Sequence, residues 1–358
     1  MKNFFSLFPT TLIGIFFSIP AIIIFLSLFQ DFSSNWNHLI DTVLFEYFFN
    51  SFKLFLGVSI GVFIIGVSTA WIVSTCDFKG KDFFSWALVL PFSIPPYIMA
   101  YAFTGLFDSY GTANDIARII FNLGEDYTFF PSVRSIGGSI IVFSFTLYPY
   151  VYLIAQNAFS NQSRDIFDVS RTLGFSRTKT FFKVALPIAR PAIVASLMLV
   201  GMEVLSDFGA VEHFAIPTFT SGIFRTWFGL NDLVTAKQLA SLLFLIFLIL
   251  ILIEKYSRRK IVYSSSSTSN RELIPTPLKG SKSILAIMIC SLPIIIGFLV
   301  PFIQLLYWAI FHESSFINIE LFYSIYNSIS LAIVGGLFCI ATATFINYVL
   351  RIKRSKYL

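Results

Sequence analysis

Charge is what this chain has least of. Only 12% of its 358 residues are Asp, Glu, Lys or Arg, against roughly 25% in soluble domains. Hydrophobic residues make up 56%, and 44 of the residues are Phe. So many rings cannot be hidden in one water-soluble core of this size, which excludes an ordinary soluble globule. Cysteine is scarce too. Cys76, Cys290 and Cys339 have no metal-ligand spacing, and they read as small apolar residues, neither a disulfide framework nor a zinc site. No GxxxxGK[ST] loop occurs, so ATP is not bound in that way, and there is no HExxH helix or Ser nucleophile elbow. Histidine is limited to His38, His213 and His312, all in expected outside loops, where surface roles are favoured over a metal site. A net charge of +6 raises nucleic acid as a partner, but the distribution of the charge argues against it.

What is present is a series of long apolar runs, which predicts an all-α polytopic membrane protein of about eight transmembrane helices. The first run, about 11–29, follows Met-Lys-Asn-Phe-Phe without a small-residue cleavage site, so it reads as an uncleaved span. The others are expected near 51–74, 83–107, 138–159, 192–209, 238–253, 284–310 and 328–350. The third contains Pro91, Pro95 and Pro96, which predict a kink. After it, Asn114 or Thr112 is expected to cap a short interfacial helix bearing Ile116, Ile119 and Ile120, with Gly124 as its stop. With the N-terminus inside, 20 of the 25 Lys and Arg fall in inside segments. The positive-inside rule then puts both termini in the cytoplasm.

The chain also repeats. Phe49-Asn50-Ser51-Phe52-Lys53-Leu54 returns as Tyr326-Asn327-Ser328-Ile329-Ser330-Leu331. Near the same offset, Ile19-Pro20-Ala21-Ile22-Ile23-Ile24 returns as Leu292-Pro293-Ile294-Ile295-Ile296-Gly297. The expected organisation is a first six-span unit over 1–260 and a flexible Ser- and Pro-containing cytoplasmic linker over 261–283. The first two spans of an incomplete second unit follow over 284–358.

One polar island interrupts the apolar runs, at 161–190, with Arg164, Arg171, Arg177, Lys179, Lys183 and Arg190. Gly174 divides two helix-like stretches, and Leu186-Pro187 closes the second. A helix–turn–helix at a membrane surface suits a soluble docking partner, and a plain basic loop is the competing reading. The order of residues resembles the cytoplasmic loop of binding-protein-dependent ABC importer permeases. That loop reads Glu-Ala-Ala, three residues, Gly, nine residues, Ile, one residue, Leu-Pro. Here the positions are Asp168-Val169-Ser170, Gly174, Val184 and Leu186-Pro187. Asp for Glu keeps the charge on a shorter stem. Val-Ser for Ala-Ala and Val for Ile are further departures.

The resemblance implies a type I importer permease fold, with these seven residues docking cytoplasmic ATPase subunits that hydrolyse ATP. The permease itself would be no enzyme and would bind no cofactor. It would lie in the bacterial inner membrane, receive substrate from a periplasmic binding protein, and have lipid but no nucleic acid as a partner. Gly201 to Phe214 and Ile216 to Phe228 are similar to the ferric-iron branch, in which two six-span halves are commonly fused. By that measure the chain is C-terminally truncated, and the second half would be fused, in trans or lost. Branches for thiamine, polyamines or phosphonates share the architecture. An ATPase-independent secondary transporter or channel, or a non-transporting fragment, are readings of a different class.

Two acids inside the fifth span also attract a functional reading. Glu203 and Asp207 are four residues apart on one helical face, with Glu212 just beyond. An intramembrane acid marks a substrate pathway by default. The alternative is that Asp207 caps the outer end of the span while Glu203 makes an interhelical hydrogen bond. Carboxylate oxygens suit a hard ion such as ferric iron, whereas imidazole suits softer or borderline ions.

Overall fold

A computed structural model of the chain describes residues 4–122, 124, 127–258, 275–311 and 319–352. The part of the linker at 261–274, His312 and the basic tail beyond 352 lie outside the described residues. Helices dominate because apolar runs placed in lipid must satisfy their own backbone groups. In chain order the first are α1 (Phe4–Leu26), α2 (Asn35–Thr42) and α3 (Leu44–Thr75), then the two-residue strand β1 (Cys76–Asp77). Next come α4 (Lys81–Ala87), α5 (Pro96–Phe107), α6 (Thr112–Phe121), α7 (Ile136–Ser160), α8 (Arg164–Thr172), α9 (Arg177–Thr180) and α10 (Leu186–Ser206). The remainder is α11 (Gly209–His213), α12 (Phe219–Phe224), α13 (Leu233–Arg258), β2 (Thr276–Pro277), α14 (Ser281–Ile294), α15 (Val300–Phe311) and α16 (Ile319–Ile352). Among the described residues seven helices are long and apolar enough to cross a membrane, or eight if one bent pair counts as a span.

The bent pair corrects the expected third span. Lys81–Ser93 and Pro96–Phe121 meet at 87°, a break and not a kink. Ile94 and Pro95 each precede a proline, and both take extended ψ values of 109° and 148°. A residue before proline is pushed out of the α region, and two in a row leave no helical path. The break is satisfied from α7, where the Tyr148 hydroxyl donates to the Leu88 carbonyl at 2.7 Å and Tyr152 donates to the Ser85 carbonyl at 2.9 Å.

Two further expectations are corrected. The fifth span begins at Arg177 and runs continuously to Ser206, so Leu186-Pro187 does not end a helix. A π turn at Phe181–Ala185, closed by Leu186 N–H to the Phe181 carbonyl, shifts the hydrogen-bond ladder just before Pro187, which has no N–H to give. The short helix α6 starts from Gly111 with no side-chain cap and stops at Asn122, which is left-handed at φ 51°. Asn114 lies inside its first turn and donates back to the carbonyls of Phe107 and Asp108.

Contacts divide the chain into two compact units, 1–30 with 308–358, and 31–307. In the first, α1 packs along α16. In the second, α3 and α7 form the central pair, around Val58, Val62, Val142, Phe143, Leu147 and Val151. The helices approach closely at Gly66, where an added Cβ would stand 3.0 Å from the backbone nitrogen of Tyr152. Span Ser281–Phe311 brings its π turn, Ile295–Leu299, against α7 and the broken span, and Gly297 meets the Phe145 carbonyl and Pro91.

Candidate functional site

The polar island folds as helix, glycine turn and helix. Ser163 caps α8, accepting from the Asp165 N–H, and Ser176 caps α9, accepting from the Lys179 N–H. Between them Gly174 is left-handed at φ 72°. Its N–H reaches the Arg171 carbonyl at 2.9 Å, and the Phe175 N–H reaches the Ser170 carbonyl at 3.0 Å. These two bonds form a Schellman motif, the turn a glycine at this position favours. Gln162 then ties the two ends of the island together, donating to the Ala185 carbonyl in the π turn at 2.9 Å.

The expected docking residues separate by environment. Asp168 makes ion pairs on its own helix, to Arg164 at 3.3 Å and to Arg171 at 4.0 Å. Val169 and Pro187 are exposed, Val184 and Leu186 half-buried, and Ser170 is buried with its hydroxyl on the Ile166 carbonyl at 2.8 Å. Leu173 was not singled out from the sequence. With Val169 it forms an exposed apolar ledge four residues apart, at the edge of the Gly174 turn. The signal was the apolar i, i+4 pair on the outer face of a charged, amphipathic helix.

The island is seated by aromatic rings and by one arginine. Trp71 on α3 meets Phe159, Phe167 and Phe181 at centroid distances of 5.3, 6.1 and 4.9 Å. Arg177 donates through Nη2 to the Thr75 carbonyl at 2.9 Å, the Thr75 hydroxyl at 3.2 Å and Cys76 Sγ at 2.8 Å. On the same side β1 and β2 pair in parallel, Cys76 opposite Thr276 and Asp77 opposite Pro277. Leu278 N–H donates to the Asp77 carbonyl at 2.8 Å. Thr276 to Leu278, inside the expected linker, are therefore fastened to the end of α3. A cleft of 420 Å³ remains between α3, α8, α9 and this strap.

At the far end of α10 the acids are not equivalent. Glu203 is exposed on the helix surface. Asp207 has turned out of the helix, and its Oδ1 accepts from Ala210 N–H at 2.9 Å and Val211 N–H at 3.4 Å, capping α11. Burial pushes the Asp207 carboxyl up, the two N–H bonds pull it down, and the nearby charge of Glu203 adds to the upward side. Glu212 forms an exposed ion pair with Arg225 at 3.3 Å. The whole region is pinned to α3: Asn50 donates to the Pro217 carbonyl at 3.0 Å, and Ser51 Oγ accepts the Phe219 N–H at 3.2 Å.

Beside these acids stands a cluster the sequence did not point to. His213 Nε2 is 2.9 Å from the Thr104 hydroxyl, and its ring lies edge-on to Tyr97 and Tyr101 at 5.9 and 5.8 Å. Burial and then Arg134 push the imidazole down, against a smaller upward pull from Asp108. Among the described residues no three His, Cys, Asp or Glu side chains gather into a metal-binding group.

The family profile for the binding-protein-dependent transport system inner membrane component matches residues 62–261, more than half of the chain. The chain belongs to that family. The match makes it a multi-pass membrane chain of the ABC importer permease family.

Among curated relatives, the Fe(3+)-transport system permease protein FbpB 2 of Haemophilus influenzae is 28% identical over 262 residues, 73% of this chain and 47% of its own length. The sulfate transport system permease protein CysT of Escherichia coli is 28% identical over 153 residues, 42% of this chain and 52% of that protein. The molybdenum transport system permease protein ModB of Escherichia coli is 27% identical over 150 residues, 42% of this chain and 62% of that protein. The chain spans about half the length of the curated relatives it matches. A crystal structure of a bacterial ABC transporter involved in the import of alginate shares the fold. It aligns with 73% of this permease and 98% of its own chain, at a TM-score of 0.58 and 16% identity.

Proposed function

We propose that this permease carries iron(III), delivered by a periplasmic binding protein, across the inner membrane, driven by cytoplasmic ATPases that dock on the 161–190 island. The observation that carries the substrate is Glu203, an exposed carboxylate on a membrane-spanning helix. A fixed negative charge there lowers the cost of a cation in a low-dielectric layer and raises that of sulfate or molybdate. The 262-residue similarity to an iron permease supports the same reading. Docking rests on the exposed Val169–Leu173 ledge, with Asp168 exchanging an internal arginine for a basic group of the ATPase. The island then lies in the cytoplasm with both termini, and a second permease half, fused or in trans, completes the pathway beside the first six spans. ATP-driven closure of the ATPases re-orients the spans by alternating access.

Reconstitution with the ATPase, the binding protein and the second half tests this reading. Radio-iron uptake that needs ATP is the expected result. Sulfate or molybdate uptake without iron uptake would overturn the substrate. Uptake that persists without ATP, on an ion gradient alone, would overturn the importer class.

A further inference from the structure

The cleft between the island, the end of α3 and the strap shares Asp168 with the docking reading, but its own chemistry is that of an anion site. Arg164, Arg171 and Arg177 line it against the single carboxylate of Asp168, which leaves two positive charges unbalanced. Asp168 reaches Arg171 only at 4.0 Å, and the Arg171 side chain is 67% exposed. Arg177 spends only Nη2 on α3, so among the described residues the rest of its guanidinium fork is available. The rings of Trp71, Phe167 and Phe175 supply apolar lining among the arginines. The cleft lies where candidate span Leu44–Thr75 ends and candidate span Arg177–Ser206 begins, and the ends of membrane-spanning helices stand at the headgroups. Tryptophan favours that depth. Farther along the second span, Phe182 and Ile188 are exposed and offer an apolar track for an acyl chain.

We propose that this cleft holds the phosphate headgroup of an anionic phospholipid. Guanidinium forks bind phosphate through paired, charge-assisted hydrogen bonds, and a zwitterionic headgroup adds its own cation to a cleft that already has excess positive charge. A phosphate between Arg164 and Arg171 competes with Asp168 for both. Occupancy therefore releases the Asp168 carboxylate for an outside partner. That consequence rests on the docking reading, whereas the lipid site itself does not.

The test uses the purified full chain without ATPase, loaded with phosphatidylglycerol or phosphatidylcholine, and counts lipid retained through delipidation by native mass spectrometry. Phosphatidylglycerol should be retained in preference to phosphatidylcholine. Replacing both arginines, R164Q with R171Q, should lower its retention about tenfold, the loss of one or two charge-assisted bonds. D168N removes the competing carboxylate and should raise retention, an effect opposite to that of a misfolded variant. Equal retention of the two lipids, or unchanged retention in the variants, would overturn the site. Displacement of the lipid by inorganic phosphate would assign the cleft to a soluble anion instead. Since no ATPase is present, each of these failures leaves the docking reading intact.

Discussion

Arg177 donates to the backbone carbonyl of Thr75 at 2.9 Å, across 102 residues of sequence. The bond joins the second helix of the island to the last turn of α3, where carbonyls have no intrahelical partner. Motion of the island is thereby linked to the helix at the centre of the unit. R177Q keeps a hydrogen-bonding head but loses the charge and the reach. It should weaken the seat by about 1–3 kcal/mol, read as faster amide hydrogen exchange across 171–180 with the global melting temperature little changed. Unchanged exchange would mean that the aromatic contacts of Trp71 hold the island by themselves.

The turn at Gly174 makes a second, independent demand on the island. At φ 72° a β-branched side chain is strained by about 1–2 kcal/mol, although open space surrounds the position. G174V should abolish ATPase co-purification while membrane insertion persists, and G174N, which tolerates the left-handed region, should restore part of it. If G174N were as damaging as G174V, something other than backbone conformation would be at work.

These two residues show what was legible in the sequence. The basic run and the spacing of Asp168, Gly174 and Leu186-Pro187 marked the island in the sequence. Gly174 does the local backbone work expected of it, whereas the caps Ser163 and Ser176 emerged only with the fold. The 87° break was read only as a kink, because its carbonyls are satisfied by Tyr148 and Tyr152, 60 and 67 residues away. The Leu186-Pro187 pair was read as a stop because a π turn leaves no compositional trace. The pairing of Cys76–Asp77 with Thr276–Pro277 uses backbone over two residues, and no side-chain pattern announces it. Glu203 and Asp207 share a face only if the helix continues through both, and it ends at Ser206.

Acid should reveal the latch at the start of α13. The Asp232 carboxylate accepts from Ser33 Oγ at 2.6 Å, Asn35 Nδ2 at 2.9 Å, Thr235 N–H at 3.0 Å and Thr235 Oγ1 at 2.7 Å. Burial pushes this group up, but the bonds from Ser33, Thr235 and Asn35 outweigh it and hold the carboxyl well below the usual range. A depressed folded-state value means the stabilisation is complete above the unfolded value of about 3.9 and fades as pH falls through the folded one. D232N should therefore melt below the wild type by a constant margin from about pH 5 to 8, a margin that shrinks below about pH 4. A margin that shrinks instead near neutrality would assign the effect to a histidine.

The two acids at the end of α10 can be separated because they do different structural work. Asp207 caps α11 through Oδ1, a task that asparagine performs about equally well. D207N should leave thermal stability within about 0.5 kcal/mol of the wild type, whereas D207A should lose about 1 kcal/mol by removing the cap. Glu203 is exposed and enters no hydrogen bond or ion pair among the described residues, so E203Q should be silent in stability. Iron uptake by the completed transporter then becomes the deciding measurement. If the carboxylate charge of Glu203 eases a trivalent cation through the span, E203Q alone should slow uptake about tenfold or more, a loss of about 1.4 kcal/mol. Association with the binding protein and the ATPase should be unchanged. D207N should slow uptake less, because its carboxylate oxygen is already committed to two backbone N–H groups. Full uptake by E203Q with reduced uptake by D207N would reverse the assignment and move the pathway to the Asp207, His213 and Thr104 side of the break.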